Sequence, residues 1–352
     1  MLKGKTVAPL TLGCKVNQYE TDGMIELLKE AGMTAVSFEE KADVYLINTC
    51  SVTNMADKKS RQMIHRAKKL NPDAVVIAAG CYVQAAKDKL MEDDRISIII
   101  GNNKKKDIVQ ILEDYLEIGV TDEGMLDIAA EKEYEPLTIN STLEHTRAYV
   151  KIQDGCNQFC SYCIIPYVRG RIRSRELASI TEEVERLAQT GVKEIVLTGI
   201  HISSYGKDKE NEVGLADVID AISKIESIER IRLGSLEPGI ITDTFIDRIV
   251  DNKKVCPHFH LSLQSGCNTV LKRMNRKYTC EEYFEKCEIL RKAFDRPALT
   301  TDVIVGFPGE TEEEFDITEK YLEKVHFYEM HVFKYSRRAG TKAAAMTDQI
   351  PE

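Results

Sequence analysis

Three cysteines stand close together near the middle of the chain, in the run CNQFCSYC at residues 156–163. Thiolates at Cys156, Cys160 and Cys163 can bind three irons of a [4Fe–4S] cluster and leave its fourth iron open to another ligand. Zinc is the competing metal, but a structural zinc site usually takes four ligands, and no fourth Cys or His is close in the sequence. The spacing therefore favours an iron–sulfur cluster.

Three more cysteines, Cys14, Cys50 and Cys81, repeat one pattern, in which a predicted strand is followed by a cysteine and then by a predicted helix. The carboxyl ends of parallel strands lie at one edge of an open α/β sheet, where ligands bind. These thiols meet there only if the topology is right, so from the residues alone a second metal site stays open. The remaining cysteines show no ligand spacing and are assigned no role: Cys256, Cys267, Cys280 and Cys287. The spacing of Cys280 and Cys287, seven apart across a predicted helix start, suits buried small hydrophobic residues.

Composition is that of a globular protein. The chain has 352 residues, with 48 Lys and Arg against 57 Asp and Glu and a net charge of −9. This length suggests about two domains. No apolar run approaches the ~18 residues of a membrane span, and the first residues lack the apolar core of a signal peptide. We expect a cytoplasmic protein without membrane association, whose thiols stay reduced.

The elements that would position these cysteines fall into two domains. Residues 1–140 alternate apolar strands (8–12, 43–48 and 74–79) with helices (20–31 and 55–70), which predicts an α/β fold with a Rossmann-like parallel sheet. A charged, Gly-containing stretch up to about residue 146 is interpreted as a helix followed by an interdomain linker. Residues 141–352 then show six strands with intervening helices, the pattern of a partial β/α barrel of TIM type. These strands are predicted at 147–152, 194–197, 230–233, 258–263, 300–305 and 328–333.

The central cysteine run, placed after the first strand of this barrel, resembles the signature of the radical S-adenosylmethionine (SAM) superfamily. The resemblance implies a [4Fe–4S] cluster whose open iron chelates the amino and carboxylate groups of SAM, and whose electron cleaves SAM to a 5′-deoxyadenosyl radical. It also implies SAM-binding roles for residues at or near the strand ends, although a structural role is the favoured interpretation of each of them taken singly. These residues are Tyr162 before the last cysteine, Gly199, Glu237, Gln264, Asp302 and Gly306 in the run VIVGFPGE.

The blocks around the amino-terminal cysteines, LGCKVNQ, NTCSVT and AGC, resemble the methylthiotransferase family, in the same order and spacing. In that family the three thiolates hold a second, auxiliary [4Fe–4S] cluster with one iron free of protein ligands. Two SAM molecules are consumed, one to methylate a cluster-bound sulfur and one to generate the radical. The resemblance thus implies that Cys14, Cys50 and Cys81 bind iron.

Within this family, GCKVNQYET and HFHLSLQSG are similar to the branch that modifies threonylcarbamoyladenosine at position 37 of tRNA. The implied partners are the tRNA anticodon stem-loop and an electron donor such as flavodoxin or ferredoxin. The alternatives within the family are isopentenyladenosine in tRNA and an aspartate of a ribosomal protein. Two alternatives from other classes are a non-catalytic electron carrier with two clusters and a zinc-stabilised RNA-binding protein.

Three basic groups are candidates for phosphate contacts, with solvated charge as the equal alternative. On an extended segment, residues 169, 171, 173 and 175 would all point one way. The groups are Arg169, Arg171, Arg173 and Arg175; Lys272, Arg273, Arg276 and Lys277; and Lys334, Arg337, Arg338 and Lys342. The family usually adds a carboxyl-terminal β-barrel (TRAM) domain that helps bind RNA. This sequence ends at Glu352 before one, and we interpret residues 339–352 as a linker-like loop left by truncation.

Overall fold

A computed structural model describes residues 1–119, 125–140, 146–210 and 212–351. The chain forms two compact units. Unit 1 comprises Met1–Ser141 together with Ile164–Arg175, and unit 2 comprises Thr142–Cys163 together with Glu176–Glu352. The sequence-based division at residue 140 did not anticipate that the segment after Cys163 packs with unit 1.

Unit 1 is built on a parallel sheet with the strand order β2-β1-β3-β4-β5. Its central strand β3 is buried along its whole length, as both faces of a parallel sheet are covered by helices. Successive side chains point to opposite faces, so Leu46 joins one apolar core while Tyr45 and Ile47 join the other. The predicted Rossmann-like sheet is confirmed. The strands are β1 (Thr6–Thr11), β2 (Thr34–Ala35), β3 (Val44–Thr49), β4 (Val75–Gly80) and β5 (Ile98–Ile100).

The helices of unit 1 follow the strand ends. Helix α1 begins directly after Cys14, five residues earlier than predicted, because its buried face contains polar Asn17 and Glu20 and so hides the apolar periodicity. The stretch interpreted as a linker also differs from expectation, since Ile128 and Leu137 are buried; its residues 120–124 and 141–145 lie outside the described part. The helices are α1 (Lys15–Glu30), α2 (Asn54–Leu70), α3 (Cys81–Ala85), α4 (Lys87–Met91) and α5 (Ile108–Ile118).

Unit 2 begins with β6 (Arg147–Asp154) and the central cysteine run. The segment that packs with unit 1 then contains α6 (Ile165–Val168) and β7 (Arg173–Ser174). Unit 2 continues with β8 (Glu194–Gly199), β9 (Arg230–Leu233), β10 (His258–His260), β11 (Ala298–Val305) and β12 (Glu329–Lys334). Its helices are α7 (Leu177–Gln189), α8 (Leu215–Ser223), α9 (Asp243–Ile249), α10 (Asn268–Arg273), α11 (Cys280–Ala293) and α12 (Glu312–Val325).

The strands of unit 2 form a curled half-barrel. Strands β6, β8 and β9 pair in parallel, and so do β10, β11 and β12. Single parallel bridges, Ile231 with Val255 and Leu236 with Leu261, join the two groups. The predicted partial β/α barrel with six strands is confirmed, and its strand ends provide one edge for a site.

The last residues differ from the predicted linker-like loop. Ala343 is completely buried beside Phe307 and Val270. Its backbone N–H donates to the carbonyl of Ser161 at 2.8 Å, so this segment packs against the central cysteine run.

Short 3₁₀ turns occur at Lys105–Asp107, Ile202–Ser204, Pro238–Ile240 and Ala343–Ala345. Within the described ranges, no helix combines the length and the apolar character needed to cross a bilayer.

Candidate functional site

The first candidate site in unit 2 is the loop that leaves β6. Asp154 ends the strand. Its carboxylate forms an ion pair with Lys151 at 2.6 Å and accepts a hydrogen bond from the Gly155 N–H at 2.7 Å. Gly155 has a φ of 70°, which is the left-handed conformation that glycine adopts at little cost. The strand end is therefore fixed just before Cys156.

The loop is held from the side by the turn after α10. Asn275 donates to the carbonyl of Phe159 at 2.9 Å, where the backbone has an unusual positive φ of 50°. Ser161 donates its hydroxyl to the carbonyl of Arg273 at 2.8 Å and its N–H to the carbonyl of Met274 at 2.9 Å. These bonds order the backbone that carries the three thiols, which is what a preformed ligand loop needs.

Arg276 supplies positive charge at this loop. Its Nη1 lies 3.2 Å from Cys160 Sγ, its Nε donates to the Tyr278 hydroxyl at 2.9 Å, and its Nη2 lies 3.6 Å from Glu237 Oε1. Its side chain is only 8% exposed. A guanidinium N–H forms a much stronger hydrogen bond with a thiolate than with a neutral thiol. Arg276 therefore suits a loop whose cysteines are ionised by a metal.

Glu237 lies at the centre of the polar groups near the loop. Gln158 donates to Glu237 Oε2 at 2.7 Å, and His201 Nε2 lies 3.1 Å from the same oxygen. Burial by itself would raise the pKa of Glu237, but the hydrogen bond from His201 and the charge of Arg276 hold that pKa below its usual value. Glu237 is thus a stable carboxylate facing the cysteine loop.

Two other predicted SAM ligands have a packing role in the structure. Tyr162 is half-buried and packs with Met274 and Phe307. Gly199 ends β8, where an added Cβ would lie 2.9 Å from the carbonyl of Gln153. The glycine is required by this close approach, whatever else it does.

The remaining predicted SAM ligands lie on β11 and beside it. Gln264 has a φ of 75°, and its N–H donates to the carbonyl of Asp302 at 2.9 Å. The Asp302 carboxylate lies 3.3 Å from His260 Nε2. Gly306 donates its N–H at 2.6 Å to Glu310, one of whose carboxylate oxygens is buried without a hydrogen bond among the described residues. The structure thus places all three near the carboxyl end of β11.

The second candidate site lies within unit 1, at the carboxyl ends of β1, β3 and β4. Cys14 is the N-cap of α1, Cys50 follows β3 directly, and Cys81 is the first residue of α3. These strands are neighbours in the sheet, so the topology brings the three cysteines to one edge.

Two glycines allow this approach. An added Cβ at Gly13 would lie 2.7 Å from Cys50 Cβ and 2.8 Å from Cys50 Sγ. At Gly80, whose φ is 96°, an added Cβ would lie 2.7 Å from the carbonyl of Thr49 and would overlap the side-chain oxygen of Asn48. The cysteine blocks therefore contain glycine where β3 and its end come closest to the neighbouring turns.

At least one thiol of each set has its pKa raised by burial. Burial raises the pKa of Cys50 and of Cys156 to about 11, and neighbouring cysteine charges add to both shifts. Binding of metal would then release protons. Among the described residues, no three His, Cys, Asp or Glu side chains converge closely enough for one metal ion.

Several basic residues predicted to face phosphate do not do so. Arg169 and Arg173 are fully buried and Arg175 is 2% exposed, because the segment that follows α6, including Arg173 on the short strand β7, packs within unit 1. Arg273 forms an ion pair with Glu314 at 2.6 Å. Exposed positions within the three basic groups are Arg171, Lys272, Lys277, Lys334, Arg337 and Lys342.

Two protein families match different parts of the chain. Residues 150–322 match the Radical SAM superfamily, and residues 6–101 match the uncharacterized protein family UPF0004. A curated relative, the threonylcarbamoyladenosine tRNA methylthiotransferase MtaB of Bacillus subtilis, is 46% identical over 349 residues, which are 99% of this chain and 77% of the relative. This chain belongs to the MtaB-like family of radical SAM tRNA methylthiotransferases. Membership of the superfamily implies SAM and a [4Fe–4S] cluster as cofactors.

Other members of this family act on a different base. The tRNA-2-methylthio-N(6)-dimethylallyladenosine synthase of Clostridium novyi is 38% identical to this methylthiotransferase over 352 residues, covering 97% of this chain and 76% of that relative. The radical SAM methyltransferase TsrM of Kitasatospora setae, solved with cobalamin and a [4Fe–4S] cluster, has a TM-score of 0.70 at 16% identity. It covers 96% of this chain and 77% of its own. At that identity the likeness shows the fold alone.

Sequence reasoning missed the arginines at the thiols of this methylthiotransferase. Arg276 and Arg169 were candidates for phosphate contacts, with solvated charge as the equal alternative. Their contacts with Cys160 and Cys81 depend on tertiary structure. Glu20 lies on the buried face of α1, which the apolar pattern of the sequence does not reveal. A carboxylate in such a position requires a buried cation.

Proposed function

We propose that this methylthiotransferase transfers a methylthio group to C2 of N6-threonylcarbamoyladenosine at position 37 of tRNA, with SAM and two [4Fe–4S] clusters. The observation that carries the proposal is the placement of Cys14, Cys50 and Cys81 on three adjacent strand ends of unit 1. This set is separate in the sequence from Cys156, Cys160 and Cys163. One cluster site would suffice for an enzyme that only cleaves SAM.

In unit 2, Cys156, Cys160 and Cys163 would hold the cluster that reacts with SAM. When bound, a [4Fe–4S] cluster with an open iron supplies the electron that cleaves the SAM sulfonium. The protein contributes an ordered loop, the Arg276 charge on Cys160 and the Glu237 carboxylate nearby. Its main tasks are to orient the cofactors and to exclude water.

We also propose that SAM is bound by residues at the strand ends of the half-barrel: Tyr162, Gly199, Glu237, Gln264, Asp302 and Gly306. Glu237 is supported by its ionised carboxylate, which would accept the SAM amino group. Asp302 is supported by its position on β11, beside His260 and three residues before that strand ends. We expect Glu237→Gln to weaken SAM binding measured by equilibrium dialysis, with Glu229→Gln, an exposed carboxylate of the same unit, as the control.

The auxiliary cluster would be held by Cys14, Cys50 and Cys81. The test is iron and sulfide per chain after anaerobic reconstitution. Wild type should contain about eight irons, and the C156A/C160A/C163A and C14A/C50A/C81A variants about four each. A buried cysteine outside both sets, Cys287, provides the control, and C287A should retain about eight. Four irons in wild type and none in C156A/C160A/C163A would overturn the two-cluster proposal.

The choice of substrate is supported by relatives. Besides the Bacillus subtilis protein, the MtaB of Aquifex aeolicus is 43% identical over 346 residues, whereas the dimethylallyladenosine synthase of Clostridium novyi is 38% identical. The test supplies two tRNAs, one with threonylcarbamoyladenosine and one with dimethylallyladenosine, together with SAM and reduced flavodoxin or ferredoxin as electron donor. Methylthio product on the first tRNA is expected, and product only on the second would assign the other substrate.

A further inference from the structure

A ring of buried polar side chains surrounds the Cys81 thiol in unit 1. It joins α1, the start of α3, the residues after β5 and the segment after α6. Every member is at most 3% exposed. The members are Glu20, Cys81, Asn102, Lys105 and Arg169.

Arg169 forms one half of the ring. Its Nε donates to Cys81 Sγ at 3.2 Å, and its Nη1 and Nη2 donate to the two oxygens of Glu20 at 2.7 and 3.1 Å. The carboxylate thus takes two N–H groups of the guanidinium in the bidentate arrangement that fixes its plane. This leaves the Nε–H directed at the sulfur.

Lys105 and Asn102 form the other half. Lys105 Nζ lies 3.0 Å from Glu20 Oε2 and donates to Asn102 Oδ1 at 2.6 Å. The amide of Asn102 donates to the Val168 carbonyl at 2.6 Å and approaches Cys81 Sγ at 3.8 Å. Asn102 is thereby oriented with its N–H groups, not its oxygen, on the side of the thiol.

This arrangement presents N–H donors to a sulfur atom inside a desolvated core. Burying ion pairs of this kind often costs more free energy than burying well-packed apolar residues of similar volume. A neutral thiol is only a weak hydrogen-bond acceptor. A cluster-bound thiolate is negatively charged and would accept the Arg169 Nε–H strongly. The N–H donors around this sulfur therefore fit a Cys81 thiolate that binds a cluster iron.

We propose that Arg169 is a positioning residue for the auxiliary cluster, whose Nε–H donates to the Cys81 thiolate and raises the reduction potential of the cluster. The inference rests on the proposed function, since it requires a cluster at Cys14, Cys50 and Cys81. Hydrogen bonds to the ligand sulfurs and local charge set the potential of such clusters. One electron from the reductant adds negative charge, part of it on the sulfurs, and the guanidinium stabilises this reduced form. Glu20 opposes the effect through its own negative charge.

The experiment isolates the auxiliary cluster in the full chain with the C156A/C160A/C163A background. Redox titration with dithionite, followed by electron paramagnetic resonance, gives its midpoint potential. Arg169→Gln removes the charge, Arg169→Lys keeps a charge but removes the Nε–H, and Glu20→Gln removes the opposing anion. The matched control is Arg175→Lys, a buried arginine of the same segment that donates to the Tyr19 hydroxyl at 3.1 Å.

For R169Q we expect the ratio of reduced to oxidised cluster at a fixed potential to fall at least tenfold, which is a downward shift of about 59 mV for one electron. R169K should shift the potential less in the same direction, E20Q should shift it upward, and R175K should leave it unchanged. A merely structural role would not give opposite signs for R169K and E20Q. An unchanged midpoint in R169K, or in an iron-replete R169Q, would overturn the inference. Absence of iron from the parent background would instead overturn the proposed second cluster.

Discussion

The close approach of Gly80 to the end of β3 predicts a large effect of one added methyl group. Its φ of 96° and ψ of −157° lie in a region that is essentially restricted to glycine and costs another residue about 1–3 kcal/mol. The new Cβ would also meet the backbone carbonyl of Thr49 at 2.7 Å. Overpacking of a core costs about 1–3 kcal/mol. Gly80→Ala should therefore destabilise unit 1 by about 2–6 kcal/mol, a large part of a typical domain's stability.

A second glycine separates the two contributions. Gly4 also has a positive φ, 84°, in unit 1, but no described atom lies within 4 Å of an added Cβ. Gly4→Ala should cost only about 1–2 kcal/mol for its conformation. Hydrogen exchange of the β4 amides is the suitable assay, because the two units need not unfold together. Equal effects of G80A and G4A on the exchange of β4 would refute the reasoning.

Three further changes test other parts of the molecule. Arg276→Gln removes the charged donor to Cys160 Sγ, and a hydrogen bond to a charged group contributes about 1.5–3 kcal/mol. The rate of 5′-deoxyadenosine formation should therefore fall about tenfold or more. An unchanged rate would exclude a role for this contact. The hydrogen bond from Arg273 lowers the pKa of Glu314 to about 2 from 4.5. Because the folded pKa is depressed, this stability is present above pH 4.5 and is lost towards pH 2. It amounts to about 1–2 kcal/mol after solvent screening, and Glu314→Gln should abolish that pH dependence in acid unfolding measured by circular dichroism. Cys287→Ala should leave the iron content unchanged and lower the stability by about 1 kcal/mol; loss of iron would contradict the exclusion of this buried cysteine from both sites.

Local patterns in the sequence predicted the elements that carry the cysteines. The apolar run around Tyr45 and Ile47 is long enough and β-branched enough to define a buried strand, and β3 spans Val44–Thr49. The strand, cysteine, helix pattern also placed Cys50 and Cys81 correctly at strand ends. Such features depend on residues a few positions apart, which is why they are readable without tertiary information.

The charged residues show where this reasoning fails. Arg169 lies far in sequence from Glu20, with 149 positions between the partners of its ion pair. The alternate basic residues after Cys163 were expected to point one way from an extended segment, but Arg169, which follows α6, and Arg173, on β7, are buried. Burial of a cation is decided by the anion that the fold brings to it, and no local pattern contains that information.

The two cysteine sets differ in what holds them together, and this has a consequence for how they respond to damage. In unit 2 the three thiols lie within one loop of eight residues, which is held by the hydrogen bond from Asn275 and by the one that Ser161 of the loop donates to the carbonyl of Arg273. In unit 1 the thiols converge only when β1, β3 and β4 are paired. Metal affinity at such a site includes the free energy of forming that arrangement. Destabilising unit 1 through Gly80→Ala should therefore remove iron from the auxiliary site first, and the loop of unit 2 should keep its iron in the same protein.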